Sequence, residues 1–323
     1  HRDLHSFPTR RSSDLEGVYH GAYDYAEVSL DSSPSNWGND PNSIGYSKGV
    51  PKGVTDDVVV IPFNDVEASE RIIRAHAGAI AAVLLDPAPS YLGFVQISKP
   101  FIAMIERVTR EIGAVLILDE VITFRSHTGG AQTLLGVNPD LTTLAKIIGG
   151  GFPVGAVAGR REFMRIYDHR EGKPGLPWSG TFTANPVTMT AGKVTLDLLD
   201  SAAIDRLNQL GDRLIDGVNA AFAKSSFPGQ VTGFGSSFMI LNMRAVATSV
   251  MDKAPPAWPD PPAFIIRRTF FLSSRAVFLS SSSSVSFICI CPSISRASWR
   301  NRRCAGPSVR TVSRGPSRRS YRP

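Results

Sequence analysis

Cysteine is missing from the first 288 residues of this 323-residue chain, and the three that exist, Cys289, Cys291 and Cys304, crowd into its last part. No disulfide framework is implied, and a reducing cytoplasm fits. The three thiols also lack the four-ligand spacing and the histidines of a zinc site. Long apolar runs are missing as well. Arg275 and the serine run 280–284 interrupt the one region of the tail that begins to look apolar, so nothing approaches the roughly 20 residues of a membrane-spanning helix. Residues 264–323 contain no Asp, Glu, Lys or His, yet hold twelve Arg and fifteen Ser. The net charge of +7 and the pI of about 9.5 would ordinarily raise the question of nucleic acid. Removing the tail's twelve charges leaves the first 263 residues at −5. The body is therefore a mildly acidic soluble protein, and a nucleic-acid partner is not expected for it.

The tail admits two readings once a membrane stretch is set aside. One is an arginine-serine-rich, nucleic-acid-binding or phospho-regulated segment. The other, which the composition favours, is translation of a shifted reading frame, because arginine and serine without lysine or acid do not resemble the end of a folded α/β domain. The opposite end raises the same suspicion. Residues 1–15 show no periodicity, are too charged for a signal peptide, and look like translated sequencing-adapter sequence.

What is present is concentrated in two segments. Val115-Leu116-Ile117-Leu118-Asp119-Glu120-Val121 is an apolar run ending in acid, and Leu144-Ala145-Lys146-Ile147-Ile148-Gly149-Gly150-Gly151 is a lone lysine running into three glycines. A lysine that forms a Schiff base must favour its neutral amine, and a buried carboxylate opposite a pyridine nitrogen keeps that nitrogen protonated. Open α/β sheets bind ligands at the carboxyl ends of their strands, where Asp119 would stand. Taken singly, Asp119 reads as a loop cap and Lys146 as a solvated helix lysine. The pair together is what a pyridoxal phosphate enzyme needs.

These segments, with Tyr19-His20-Gly21, Gly49-Val50-Pro51-Lys52-Gly53-Val54 and Ser179-Gly180-Thr181-Phe182-Thr183-Ala184-Asn185-Pro186, occur in an order that resembles the class III aminotransferases of pyridoxal phosphate fold type I, in particular the glutamate-1-semialdehyde 2,1-aminomutase-like branch. The resemblance runs over roughly residues 16–245. It implies Lys146 as the Schiff-base lysine, Asp119 as partner of the pyridine nitrogen, and Val121 against one face of the cofactor ring. Tyr19 matches the residue stacked on the other face, where an aromatic ring over a pyridinium is favourable; His20 follows it, as a ring contact or as a turn. Thr181 matches a residue that reaches the cofactor phosphate from a neighbouring subunit, which implies a homodimer. An amino-acid or amine substrate and a keto-acid acceptor are implied with it. The family's Gly-Thr phosphate loop would precede Gly17, so the residues here would hold the cofactor far more weakly. Two departures bear on the substrate: Asp86-Pro87 stands where the family has Glu-Pro, followed by Ala88-Pro89-Ser90-Tyr91, and Thr123-Phe124-Arg125 lacks the aminomutase glycine. Arg125 reads either as a substrate-carboxylate contact or as a surface ion-pair residue. The reading from another class is a catalytically inactive fragment whose basic tail binds nucleic acid.

Between the two ends, strand-length apolar runs at 58–61, 82–85, 115–118 and 154–158 alternate with helical patterns at 65–76 and 98–112, which predicts a mostly parallel sheet with helices on both faces. Residues 32–51 read as a long loop, where the family has a mobile lid. Helices are expected at 187–199 and 203–222, and strands at 231–233 and 238–241. The predicted organisation is a cofactor-binding large domain over 16–195, part of a smaller C-terminal α+β domain over 196–263, and the tail from 264.

Overall fold

The computed structural model describes residues 11–30, 34–36, 38–172, 175–176, 178, 180–242 and 287–289. All of them belong to one compact unit, His1–Pro292. The strands are β1 (Arg11–Leu15), β2 (Val58–Ile61), β3 (Ile80–Leu85), β4 (Val115–Asp119), β5 (Leu141–Ala145), β6 (Gly155–Gly159), β7 (Gly229–Phe234), β8 (Ser237–Asn242) and β9 (Phe287–Cys289). The helices are α1 (Lys52–Asp56), α2 (Val66–Ala75), α3 (Lys99–Ile112), α4 (Ala131–Leu135), α5 (Arg161–Met164), α6 (Pro186–Leu198) and α7 (Ser201–Ala223). The mostly parallel α/β sheet expected from the apolar runs is present.

Seven strands pair in the order β2-β1-β3-β4-β5-β6-β9. Strands β1 to β5 are mutually parallel, whereas β6 runs antiparallel to β5. Parallel strands covered on both faces read as continuous apolar runs rather than alternating ones. Val58–Ile61, buried at every position, is such a run. Helices α2 and α3 pack one face of the sheet through Ile73, Phe101, Ile105 and Val108, which bury against Leu15, Ile61, Val83, Leu85 and Leu118. Their starts are fixed by side-chain caps: Asp65 accepts from Ala68 N–H and Ser98 from Phe101 N–H, each satisfying a free amide of the first turn. Asn185 and Asp200 do the same for α6 and α7.

Two strands of this sheet lie outside the apolar runs. β5 hides because its inward positions are Thr142 and Leu144, so half of its buried face is polar. β1 falls inside the segment without periodicity, and it buries Ser13 and Asp14 next to Leu15. Its place is secured by backbone pairing to β2 and β3 on both sides, a driving force no side-chain pattern reveals. The fit is imperfect: among the described residues Ser13 Oγ and Asp14 Oδ2 are buried without hydrogen-bond partners, each a cost of about 1–3 kcal/mol. At the far edge, Phe287–Cys289, within the tail that resists a structural reading, pairs in parallel with β6. The rest of that tail lies outside the described residues. The stretch 38–51 is irregular as expected, and Asn36 and Asn42 clasp it through side-chain and backbone bonds of 2.8–2.9 Å.

Beyond the sheet, the β7–β8 hairpin leans on α7. Asn219 of that helix both donates to Val231 C=O at 3.0 Å and accepts from Val231 N–H at 2.7 Å. Asn208 donates to Ser126 C=O at 3.0 Å, and the Thr232 hydroxyl donates to Gly93 C=O, so this part is stitched to the loops that follow β4 and β3.

Helix α6 lies backbone to backbone against the turn that follows β5. A methyl group at Gly192 would come 2.0 Å from Ile148 C=O, and one at Gly150, whose φ is +60°, would come 2.4 Å from Ala191 C=O. Gly217, within α7, has nothing in reach. Gly192→Ala is therefore expected to destabilise the chain by about 2 kcal/mol or more, and Gly217→Ala to stabilise it by about 0.5–1 kcal/mol, both read from urea unfolding midpoints.

Candidate active site

Four neighbouring strands deliver one ionisable group each at their carboxyl ends. His20 follows β1, Asp86 follows β3, Asp119 ends β4 and Lys146 follows β5, in the spatial order of the strands. The order reverses direction at β1, and open α/β sheets form their ligand crevice at such a switch point.

Asp119 is 7 % exposed. Its Oδ1 accepts from Val121 N–H at 3.0 Å, and its Oδ2 accepts from His20 Nδ1 at 2.6 Å. On the other side of the imidazole, Nε2 lies 3.1 Å from Asp14 Oδ1, near enough for an ion pair though out of line for a hydrogen bond. Burial alone would lower the His20 pKa. The nearby Asp14 charge and the bond to Asp119 outweigh it and raise the value well above the ordinary one, so both ring nitrogens hold protons. Burial likewise tends to raise Asp119, but the His20 bond and charge, with the Val121 amide, hold it below the usual carboxylate range. Asp119 is ionised and fixed in direction. Asp14 is raised by its own burial, against the pull of His20.

Lys146 begins the turn after β5 with a left-handed backbone, φ +48°, a conformation non-glycine residues adopt only when surroundings enforce it. The enforcing contacts are those of α6 on the glycines that follow. Its side chain reaches solvent and makes no ion pair or hydrogen bond among the described residues. Partial desolvation lowers its pKa, opposed by Asp119 and then Asp86. A lowered amine pKa makes a better nucleophile near neutrality.

The remaining predicted residues fall in different surroundings. Val121 sits directly after the acid pair, partly buried. Tyr19 is 41 % exposed and its ring stacks on Tyr91, centroids 5.4 Å apart and tilted by 32°. The Asp86–Tyr91 departure thus reaches the same wall as Tyr19. His20 is a partner of Asp119 rather than an open turn residue. Thr181 lies exposed in the turn before α6. Arg125 has its Nε buried and without a hydrogen-bond partner among the described residues. Two acids beside Asp119 carry less sequence signal. Asp14 lies in a segment with no periodic pattern. Glu120, fully buried, accepts from Ala131 N–H at 2.6 Å and Gln132 N–H at 3.0 Å, anchoring the start of α4.

The sequence profile of the aminotransferase class-III family matches residues 14–254. The chain belongs to this family. Among class-III relatives, the glutamate-1-semialdehyde 2,1-aminomutase of Methanothrix thermoacetophila is 39 % identical over 227 residues, covering 70 % of this chain and 51 % of that protein. An omega-transaminase from Sphaerobacter thermophilus is 44 % identical with a TM-score of 0.71, over 80 % of this chain and 56 % of that structure. A transaminase with PLP bound is 40 % identical with a TM-score of 0.68, over 72 % and 54 %. The chain thus spans about half the length of the class-III relatives it matches.

The ionisation pattern makes stability pH-dependent with a definite sign. Burial pushes Glu120 up to about 7, and Asp86 reaches about 7 from burial and the Asp119 charge, so the folded chain keeps protons that the unfolded chain loses near pH 4. The raised value of His20 adds stability that is complete below its unfolded pKa of about 6.5 and lost as pH rises through its folded pKa. Unfolding free energy is expected to fall between about pH 5 and 8, with about 3 kcal/mol from Glu120 alone. Urea titrations at a series of pH values measure it, and a profile that rises with pH contradicts the assignment.

Proposed function

We propose that this chain is part of a pyridoxal 5'-phosphate-dependent enzyme that transfers amino groups, as a transaminase or as an aminomutase of the glutamate-1-semialdehyde type, through a Schiff base of Lys146. The observation that supports this most directly is the pairing of an accessible amine of lowered pKa with an ionised, hydrogen-bonded Asp119 on adjacent parallel strands. The residues present fit the cofactor: an unpaired amine for its aldehyde and a fixed anion for its ring nitrogen.

Bound pyridoxal phosphate supplies the aldehyde that takes up an amino group and a protonated ring that draws electrons from the substrate's α carbon. Lys146 would bond that aldehyde through its unpaired amine and would hold or move the proton at the substrate's α carbon. Asp119 would hold the ring nitrogen, while His20 keeps the carboxylate charged and aimed. Val121 and Tyr19 would flank the ring on its two faces. Thr181, exposed ahead of α6, would reach the phosphate held by a second copy, so the proposed working unit is a homodimer. The exposed apolar side chains Phe182, Val187, Val194 and Leu198 around and along α6 suit such a subunit contact. An amino acid or amine donates and a keto acid accepts. No helix among the described residues is long and apolar enough to cross a membrane, and a cytoplasmic setting is proposed. The division into a large domain over 16–195 and a smaller one from 196 belongs to the same proposal.

Pyridoxal phosphate added to the protein is expected to give a visible absorbance band, and borohydride should then leave a stable adduct on the Lys146 peptide. Lys146→Ala should abolish both. The absence of any band at saturating cofactor overturns the reading.

A further inference from the structure

The Tyr19 ring is exposed although the residues on either side of it are fixed. Val18 before it is fully buried, and the His20 side chain after it is held between Asp14 and Asp119. The ring itself stacks on Tyr91, with centroids 5.4 Å apart and a tilt of 32°. At that separation aromatic rings attract beyond the area they bury.

The loop that presents Tyr91 has little freedom of its own. Pro87 and Pro89 restrict its φ angles, and the Asp86 carboxylate accepts from Ala88 N–H at 2.9 Å, closing an Asx turn. Tyr91 then sits in a single helical turn, Ser90–Leu92, closed by backbone bonds from Leu92 to Pro89 at 3.1 Å and from Gly93 to Ser90 at 3.0 Å. Leu92 anchors this turn in the core, and Gly93 ends it at φ +73°, where the lack of a Cβ removes the strain. Ile97 N–H reaches back to Pro87 C=O at 2.8 Å, so the excursion closes on itself.

We propose that Tyr91 is a positioning residue, which holds the Tyr19 ring at the angle in which its free face receives the flat ring of the cofactor. This rests on the pyridoxal phosphate reading above, and it gives a task to the segment after β3 where this chain departs from its family. A side chain fixed before binding loses less rotamer freedom when the ligand arrives, and a cationic pyridinium gains from the aromatic face so presented. Burial first, then Tyr46 and Tyr19, push the Tyr91 phenol up, so near neutral pH it offers Tyr19 ring surface rather than charge.

Pyridoxal phosphate is titrated against the protein and its visible band read as a dissociation constant, with urea unfolding of the cofactor-free protein followed in parallel. Tyr91→Leu is expected to weaken binding several-fold, and Tyr91→Phe, which keeps the ring, to restore it. Tyr19→Leu should weaken binding at least as much, and adding Tyr91→Leu to it should cost nothing further, because a positioning residue has no effect without the side chain it positions. A loss that adds in full in the double variant, or a Tyr91→Leu affinity equal to that of the unsubstituted protein, overturns the role. Nuclear Overhauser contacts between the two rings in the cofactor-free, unsubstituted protein read the stack directly, and their absence overturns it as well, whether or not the leucine variants fold. If the unsubstituted protein gives no band, the cofactor reading itself fails and this role with it.

Discussion

The parallel backbone ladder through β1, β3, β4 and β5 is the constraint on which everything else here depends. Parallel pairing puts the carboxyl ends of all four strands on one edge, so four side chains far apart in sequence meet without any of them contributing to the core. The ladder is stabilised by the apolar layer beneath it, Leu15, Val83, Leu85 and Leu118 against Ile73, Phe101 and Ile105, which form one continuous cluster. Burial on this scale supplies most of the folding free energy. The edge above it is free to hold charge, and it does so densely.

Charge at that edge is sorted by hydrogen bonding more than by distance. Asp119 and Asp86 share a site and a desolvation cost, yet one accepts from an imidazolium and an amide and the other from an amide only. That difference in partners separates two chemically identical groups, Asp119 held below the usual carboxylate range and Asp86 pushed up to about 7. Asp14 adds a second anion behind His20 and buries an oxygen with no partner among the described residues, so the imidazolium is held at the cost of an unmet acceptor. A site built this way stores its function in proton positions.

Much of this was legible in the sequence because buried strands and amphipathic helices leave contiguous signals. The runs at 58–61, 82–85 and 115–118 and the helical patterns at 65–76 and 98–112 all correspond to elements, and Lys146 and Asp119 stood out through what borders them. β1 and β5 escaped because their buried faces include Asp14, Ser13 and Thr142, polar residues placed by pairing on both sides rather than by their own preference. His20 gave a motif but no partner, since its partner is ninety-nine residues away. The adjacency of Asp86 and Asp119 depends on register across β3 and β4, which no local pattern encodes.

The seam between α6 and the turn after β5 bears on how such a site can change. Where side chains separate two elements, drift in sequence can slide one over the other by small repacking steps. Here main chain touches main chain at Gly150 and Gly192, and no side chain stands between them to be exchanged. The direction in which Lys146 projects is thus insulated from the gradual substitutions that reshape a pocket wall, and new specificity has to be written on the facing side, in the loops after β1 and β3, while the lysine stays where the glycines put it.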